Sequence, residues 1–153
     1  MLNLATFSLS KLGFADIDQI LTIEEQVYSH PWTRGNFSDS LMNGHAAFAL
    51  LDQERHIQAY FWVMPVVDEL HLLNFTVAAA SQGKGLGKSM LESLFVYARE
   101  QGFASVLLEV RAGNSRAIEI YLKNGFEQIG RRKGYYPASG DLREDAIVMR
   151  RVC

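Results

Sequence analysis

Three glycines fall within five residues in Gln82-Gly83-Lys84-Gly85-Leu86-Gly87-Lys88, just ahead of a stretch with helical apolar spacing. A glycine-rich turn that opens a helix leaves backbone N–H groups free at the helix's positive end, where they hold phosphate without a charged side chain. The plainer reading is a tight turn, but three glycines cost backbone entropy that such a turn does not need. A triphosphate-binding loop requires Gly-x-x-x-x-Gly-Lys-Ser/Thr. Gly87-Lys88-Ser89 matches its end, yet Gln82 occupies the first glycine position. A dinucleotide fingerprint requires a third small residue, and counting from Gly85 and Gly87 that position is Met90, too bulky for close helix–strand packing. A third pattern, Gln/Arg-x-x-Gly-x-Gly/Ala, is met by Gln82, Gly85 and Gly87.

Other residues have functional groups suited to catalysis. Glu109 follows the apolar run Val106-Leu107-Leu108, so it is either a solvated strand-end carboxylate or a proton acceptor beside an apolar wall. Tyr121 shares a helical stripe with Ile118 and Leu122, which suits a core tyrosine and equally a phenol that donates a proton. Asn114 has the position of a helix N-cap. Tyr135-Tyr136-Pro137 and His30-Pro31-Trp32 are aromatic segments, read as loops lining an acceptor groove in preference to patches that cap the core. The four histidines show no ligand spacing and Cys153 stands alone, so neither a metal nor a cysteine nucleophile is expected.

The elements that must position these groups follow from periodicity. Ile17, Ile20, Leu21, Val27 and Tyr28 predict a helix from Asp16, which with Gln19 has the form of a capping box. It ends before Pro31. Thr33 and Asn43-Gly44 bound a second helix over about 33–43. A weak strand pattern lies at 3–9, and stronger ones at 45–52, 56–66 and 69–77 are joined by short turns, which implies antiparallel neighbours. The glycine turn opens a helix over about 86–101 whose stripe is Leu86, Met90, Leu91, Leu94, Phe95 and Ala98. A strand from Ser105 to Val110, a helix capped at Asn114 or Ser115, and strands at about 126–132 and 145–150 complete the chain. The architecture expected is mixed α+β. A mostly antiparallel twisted sheet contains one β-α-β crossover, with helices on its faces, in a single domain over 1–153.

Hydrophobic residues make up 48% and charged residues 21%, an ordinary globular mixture, and the net charge is −2. No basic stripe predicts direct nucleic-acid binding. No apolar run reaches the ~20 residues of a membrane span, and the first residues lack a secretory pattern. A lone cysteine suits a reducing compartment, so a soluble cytoplasmic protein is expected.

The third glycine pattern is the pyrophosphate motif of the GNAT acetyltransferases, which this chain resembles. Leu107-Leu108-Glu109-Val110-Arg111-Ala112-Gly113-Asn114, then Ala117-Ile118-Glu119-Ile120-Tyr121, is similar to the ribosomal-protein alanine N-acetyltransferases. So are Arg131-Arg132-Lys133-Gly134-Tyr135-Tyr136-Pro137, Gly140, Arg143-Glu144-Asp145-Ala146, His30-Pro31-Trp32 and Leu73-Asn74-Phe75-Thr76-Val77. The likeness runs from about residue 14 to 150. It departs at Ala78-Ala79-Ala80-Ser81, where the family often has acidic and proline residues, and at Gly83, often arginine. The resemblance implies the GNAT acyl-CoA N-acyltransferase fold. It also implies acetyl-CoA as cosubstrate, held by Phe75, Thr76, Val77, Gly83, Lys84, Gly85, Leu86, Gly87, Lys88 and Asn114. It makes Glu109 the proton acceptor and Tyr121 the proton donor, and puts Trp32, Tyr135 and Tyr136 at the acceptor. The acceptor implied is the N-terminal alanine of the eighteenth small-subunit ribosomal protein, acetylated by direct attack in a ternary complex. A lysine or small-molecule amine acceptor is the alternative, and a coenzyme-binding module without turnover is disfavoured by Glu109 and Tyr121 together.

Overall fold

The computed structural model describes residues 7–153. In chain order the strands and α-helices are β1 (Ser8–Lys11), α1 (Ile17–Val27), α2 (Arg34–Met42), β2 (Ala46–Leu51), β3 (Ile57–Val66), β4 (Glu69–Val77), α3 (Leu86–Glu100), β5 (Ser105–Arg111), α4 (Ser115–Lys123), β6 (Glu127–Pro137) and β7 (Arg143–Val152). The strands form one sheet in the order β1-β2-β3-β4-β5-β7-β6. Of the pairings whose register is known, only β4–β5 is parallel, the signature of the expected β-α-β crossover through α3. The first part of the weak strand pattern at 3–9 lies outside the described residues.

Two compact units divide the chain, residues up to Met64 with Asn74–Ser93, and Pro65–Leu73 with Leu94–Cys153. In the first, β2 pairs antiparallel with β1 and β3, and Ala46 faces Val63. The β2–β3 turn is set by Asp52, whose carboxylate accepts from the N–H groups of Glu54 and His56 at 2.9 and 2.8 Å. The α2 cap is a reciprocal pair. The Thr33 hydroxyl accepts from the Asn36 N–H at 3.1 Å, and the Asn36 side chain accepts from the Thr33 N–H at 3.0 Å. The expected box at Asp16 does not form. Asp16 ends a short 3₁₀ turn and its carboxylate accepts from the Gly13 N–H at 2.9 Å instead. Fully buried Phe37, Tyr60 and Trp62 pack edge to face and tilted, with Phe37 and Trp62 centroids 5.0 Å apart.

In the second unit β5 runs parallel to Glu69–Leu72 and antiparallel to β7, which lies between β5 and β6. Phe95, Tyr121 and Phe126 form its aromatic centre. The final hairpin departs from expectation. Its strands reach Pro137 and Arg143, so Tyr135 and Tyr136 stand on β6 and not in a loop. Tyr136 faces Glu144 and Pro137 faces Arg143 across the ladder, beyond a register shift between Arg132 and Tyr136 that absorbs Gly134 at φ +59°.

Candidate active site

The glycine turn belongs to the first unit. Leu86 is buried and anchors the start of α3, while residues 82–85 are exposed. Gly83 and Gly85 have φ of +78° and +84°, conformations that a side chain would strain. Gly87 has an ordinary φ, and a Cβ placed there would meet nothing within 4 Å. The N–H groups of the first helical turn lack intrahelical acceptors by geometry, the Ser89 N–H being the one that reaches Gly85 O at 3.3 Å. This open, glycine-lined helix start fits a pyrophosphate. Lys84 and Lys88 are exposed beside it.

The unusual Ala78-Ala79-Ala80-Ser81 segment is firmly held. Residues 79–81 make a 3₁₀ turn, the Ala78 N–H donates to Gln58 O at 2.9 Å, and the buried Ser81 hydroxyl donates to the Gln58 side chain. Gln82, the first residue of the motif, donates from its side chain to Val77 O at 3.1 Å. That bond ties the turn to the end of β4, where Phe75 and Val77 are half-buried and Thr76 points inward. Trp32 is half-buried, its ring 5.1 Å from Phe37 and 6.3 Å from Trp62. Its ring therefore covers the core in part, whatever else it touches.

The second unit carries Glu109 and Tyr121, the candidate acid–base residues. Glu109 projects from β5 with its side chain 17% exposed, and its Oε2 is buried without a hydrogen-bond donor. A carboxylate oxygen left in that state has a lone pair to spare for a proton. Arg132 Nε lies 3.6 Å from it, and the Arg132 guanidinium sits 5.4 Å from the Tyr135 ring centroid. Burial, the Glu109 charge and a hydrogen bond to Glu109 raise the Tyr135 hydroxyl above the ordinary tyrosine range. Burial first, then the Glu109 charge, push Tyr136 up to about 12. Both phenols therefore stay neutral near pH 7 and put no second anion beside Glu109. Tyr121 is buried on α4 with its ring edge-on to Phe126 at 5.5 Å. Asn114 caps α4, accepting from the Ala117 N–H at 3.2 Å, as its position predicts.

Several residues given no role by sequence reasoning organise this half. Arg111 Nη1 donates to Pro137 O at 2.8 Å and to Glu144 Oε1 at 3.1 Å, and its guanidinium covers the Tyr136 ring at 4.6 Å. Glu144 Oε2 accepts from the Gly113 N–H at 2.8 Å. Arg131 and the Gly134 N–H share Asp145, and Arg143 donates to Gly134 O and Tyr135 O at 3.0 Å each. Their sequence signal is their place in the Leu-Glu-Val-Arg, Arg-Arg-Lys-Gly and Arg-Glu-Asp-Ala segments. Among the described residues no group of three or more His, Cys, Asp or Glu side chains is arranged to hold a metal ion, and no helix is long and apolar enough to cross a membrane.

The sequence model of the acetyltransferase (GNAT) family matches residues 17–126, and the chain belongs to that family. It is 34% identical over 142 residues to the [ribosomal protein bS18]-alanine N-acetyltransferase of Escherichia coli, covering 93% of this chain and 95% of that one. It is 31% identical over 141 residues to the Haemophilus influenzae protein of the same name, covering 92% and 95%. The crystal structure of the Escherichia coli ribosomal-protein-S18-alanine N-acetyltransferase superposes with a TM-score of 0.87 at 33% identity, covering 95% of this chain and 93% of that one. Ard1 from Thermoplasma volcanium shares the fold, with a TM-score of 0.86 at 22% identity over 96% and 97% of the two chains.

Proposed function

We propose that the whole chain, 1–153, acts as one cytoplasmic acetyltransferase domain. It moves acetyl from acetyl-CoA to the α-amino group of the N-terminal alanine of ribosomal protein bS18. The similarity to relatives of that name over nine-tenths of the chain supports the acceptor. The observation that carries the chemistry is Glu109, a carboxylate on β5 whose buried Oε2 accepts no hydrogen bond.

Acetyl-CoA supplies an activated acyl thioester, so this chain's residues need only hold the partners and manage two protons. Gly83, Lys84, Gly85, Leu86, Gly87 and Lys88 bind the pyrophosphate through N–H groups and flanking charge. Asn114 adds a coenzyme contact to its capping role. Phe75, Thr76 and Val77 line the acyl end, where the Val77 N–H polarises the carbonyl. Glu109 takes the proton that the acceptor ammonium must lose before its nitrogen attacks, directly or through one water. Tyr121 gives a proton to the departing sulfur as the C–S bond breaks, and the second proton that the nitrogen sheds on becoming an amide restores the phenol. Trp32, Tyr135 and Tyr136 contact the acceptor peptide. Holding both substrates together supplies much of the rate, and no acetylated side chain is needed.

The test is turnover with two peptides, one beginning with the free alanine of bS18 and one with that amine blocked and a lysine in its sequence. Only the first should be acetylated. Equal acetylation of the blocked peptide overturns the N-terminal assignment in favour of a lysine acceptor. Tyr121→Phe, which removes only a hydroxyl, should lower kcat by about 10²-fold or more with coenzyme affinity unchanged. Unaltered kcat removes the proton-donor role.

A further inference from the structure

Within the first unit, α1 carries two adjacent glutamates with opposite fates. Glu25 is exposed, whereas Glu24 is 1% exposed. A buried carboxylate is costly unless its oxygens are satisfied. Glu24 meets three donors from three different segments. Its Oε1 accepts from the Tyr60 hydroxyl of β3 at 2.6 Å and from Asn74 Nδ2 of β4 at 3.1 Å. Its Oε2 accepts from the backbone N–H of Trp32, in the connector between α1 and α2, at 2.9 Å. All three donors are neutral, so the site is built to share an acceptor and not to pair a charge.

The polar chain continues along β4. The Thr76 hydroxyl donates to Asn74 Oδ1 at 2.8 Å and lies 3.1 Å from the Tyr28 hydroxyl. Tyr28 in turn donates to the backbone carbonyl of Phe75 at 2.6 Å. Burial and the Glu24 charge raise the Tyr60 hydroxyl far above the ordinary range, and burial pushes Tyr28 up to about 12, so both remain protonated donors. One end of this network is thus the backbone of Trp32 and the other is the Phe75-Thr76 stretch.

We propose that Glu24 is a positioning residue of the acetyl-transfer reaction, its two carboxylate oxygens holding the Trp32 connector and β4 at Asn74 in one fixed register. The inference rests on the reading above, in which Trp32 serves the acceptor and Phe75–Val77 the acyl end. No other side chain of similar size does this. A glutamine has one acceptor oxygen, and its NH2 group could donate to the Tyr60 oxygen but not to the Trp32 N–H or Asn74 Nδ2, so one of those two donors loses its acceptor. With both oxygens engaged by Trp32, Tyr60 and Asn74, the carboxylate acts through those partners.

The experiment compares Glu24→Gln with Tyr60→Phe. The first leaves either the Trp32 N–H or Asn74 Nδ2 without an acceptor and so breaks the link between connector and β4, whereas the second removes one donor from Oε1 and leaves both of those bonds intact. Two readouts are taken: hydrogen exchange of the segment containing the Trp32 amide in coenzyme-free protein, and KM for the alanine peptide beside Kd for acetyl-CoA. Glu24→Gln should speed exchange at Trp32 about 10-fold or more and raise the peptide KM by a similar factor, with Kd for acetyl-CoA within twofold. Tyr60→Phe should lower the melting temperature yet leave both readouts near wild type, which separates positioning from general loss of stability. Should Glu24→Gln not fold, Glu24→Asp, shorter by one methylene with its charge kept, is read by the same measurements. Unchanged exchange and KM at residue 24, or equal changes in Tyr60→Phe, overturn the proposal. If wild-type protein leaves the alanine peptide unmodified, the functional reading fails by itself, and the exchange result still decides whether Glu24 holds the connector.

Discussion

Replacing Gly113 by alanine should destabilise the protein through one side chain, and removing that side chain should reverse the sign. The backbone at Gly113 is outside the left-handed region, so alanine brings no torsional strain. A Cβ there would lie 2.6 Å from Glu144 Oε2, the same oxygen that the Gly113 N–H holds at 2.8 Å. The carboxylate must move, which lengthens that bond and disturbs its 3.1 Å contact with Arg111. A charge-assisted hydrogen bond contributes roughly 1.5–3 kcal/mol. The Arg111–Glu144 pair, with side chains 26% and 29% exposed, adds no more than about 1 kcal/mol. Against this, alanine restricts the unfolded chain and returns about 0.4–1 kcal/mol. With that hydrogen bond discounted because it is exposed to solvent, the net expectation is a loss of about 1–2 kcal/mol, or roughly 2–8 °C in melting temperature for a chain of this length. In a Glu144→Ala background the obstructed carboxylate is gone and only the unfolded-state gain remains, so Gly113→Ala should stabilise by about 0.4–1 kcal/mol. Urea denaturation of the four proteins closes the cycle. A cost of the same sign and size in both backgrounds refutes the steric account.

Three further outcomes are expected. Gly87→Ala has open space for its methyl group and favours the helix, so stability should hold or rise by up to ~1 kcal/mol. Calorimetry should nonetheless show acetyl-CoA binding weakened at least about 10-fold, because the methyl occupies the phosphate cradle, and wild-type affinity would remove that role. It is a cleaner probe than Gly85→Val, which would also strain a residue at φ +84°. The second concerns pH. Hydrogen bonds from Arg150 and Ser105 hold Glu69 below its ordinary value of 4.5. A depressed carboxylate contributes its stability in full above the unfolded value and loses it as pH falls through the lower folded value. Glu69→Gln should therefore cost up to about 1 kcal/mol at pH 7, discounted for the partly exposed Arg150, with the deficit shrinking below pH 4.5. A deficit constant from pH 7 to the acid limb contradicts the ion-pair origin. The Tyr121→Phe result stands with these, since it alone reads the proton donor.

The features legible without coordinates are those written within a few residues of one another. The stripe Leu86, Met90, Leu91, Leu94, Phe95 and Ala98 is buried along α3, Thr33 and Asn114 cap where their spacing predicts, and Gly44 and Gly125 close α2 and α4. Helix periodicity and capping are local, so the chain states them directly. The same holds for the glycine turn, whose pattern depends on seven consecutive residues. Asp16 misled because a local signal had a local competitor, the Gly13 N–H three residues earlier.

What tertiary structure decided involves partners far apart in the chain. Nothing near Tyr135 and Tyr136 announces a strand. They join β6 because β7 pairs with them across the hairpin and Arg111, from another strand, covers Tyr136. Glu24 reads as one of two solvated helix acids, and only its partners 36 and 50 residues away make it a buried hub. Val67 carries an unexpected φ of +57°, a β-branched residue accepted in the left-handed region because the β3–β4 turn requires it. Likewise Gly113 is small because Glu144, 31 residues on, occupies the space of its side chain. The sequence alone determined the glycine turn and the helices that frame it, since those are encoded in short-range spacing. The surroundings of Glu109, half-buried beside Tyr135 and Arg132, were set by long-range packing, which no local pattern encodes.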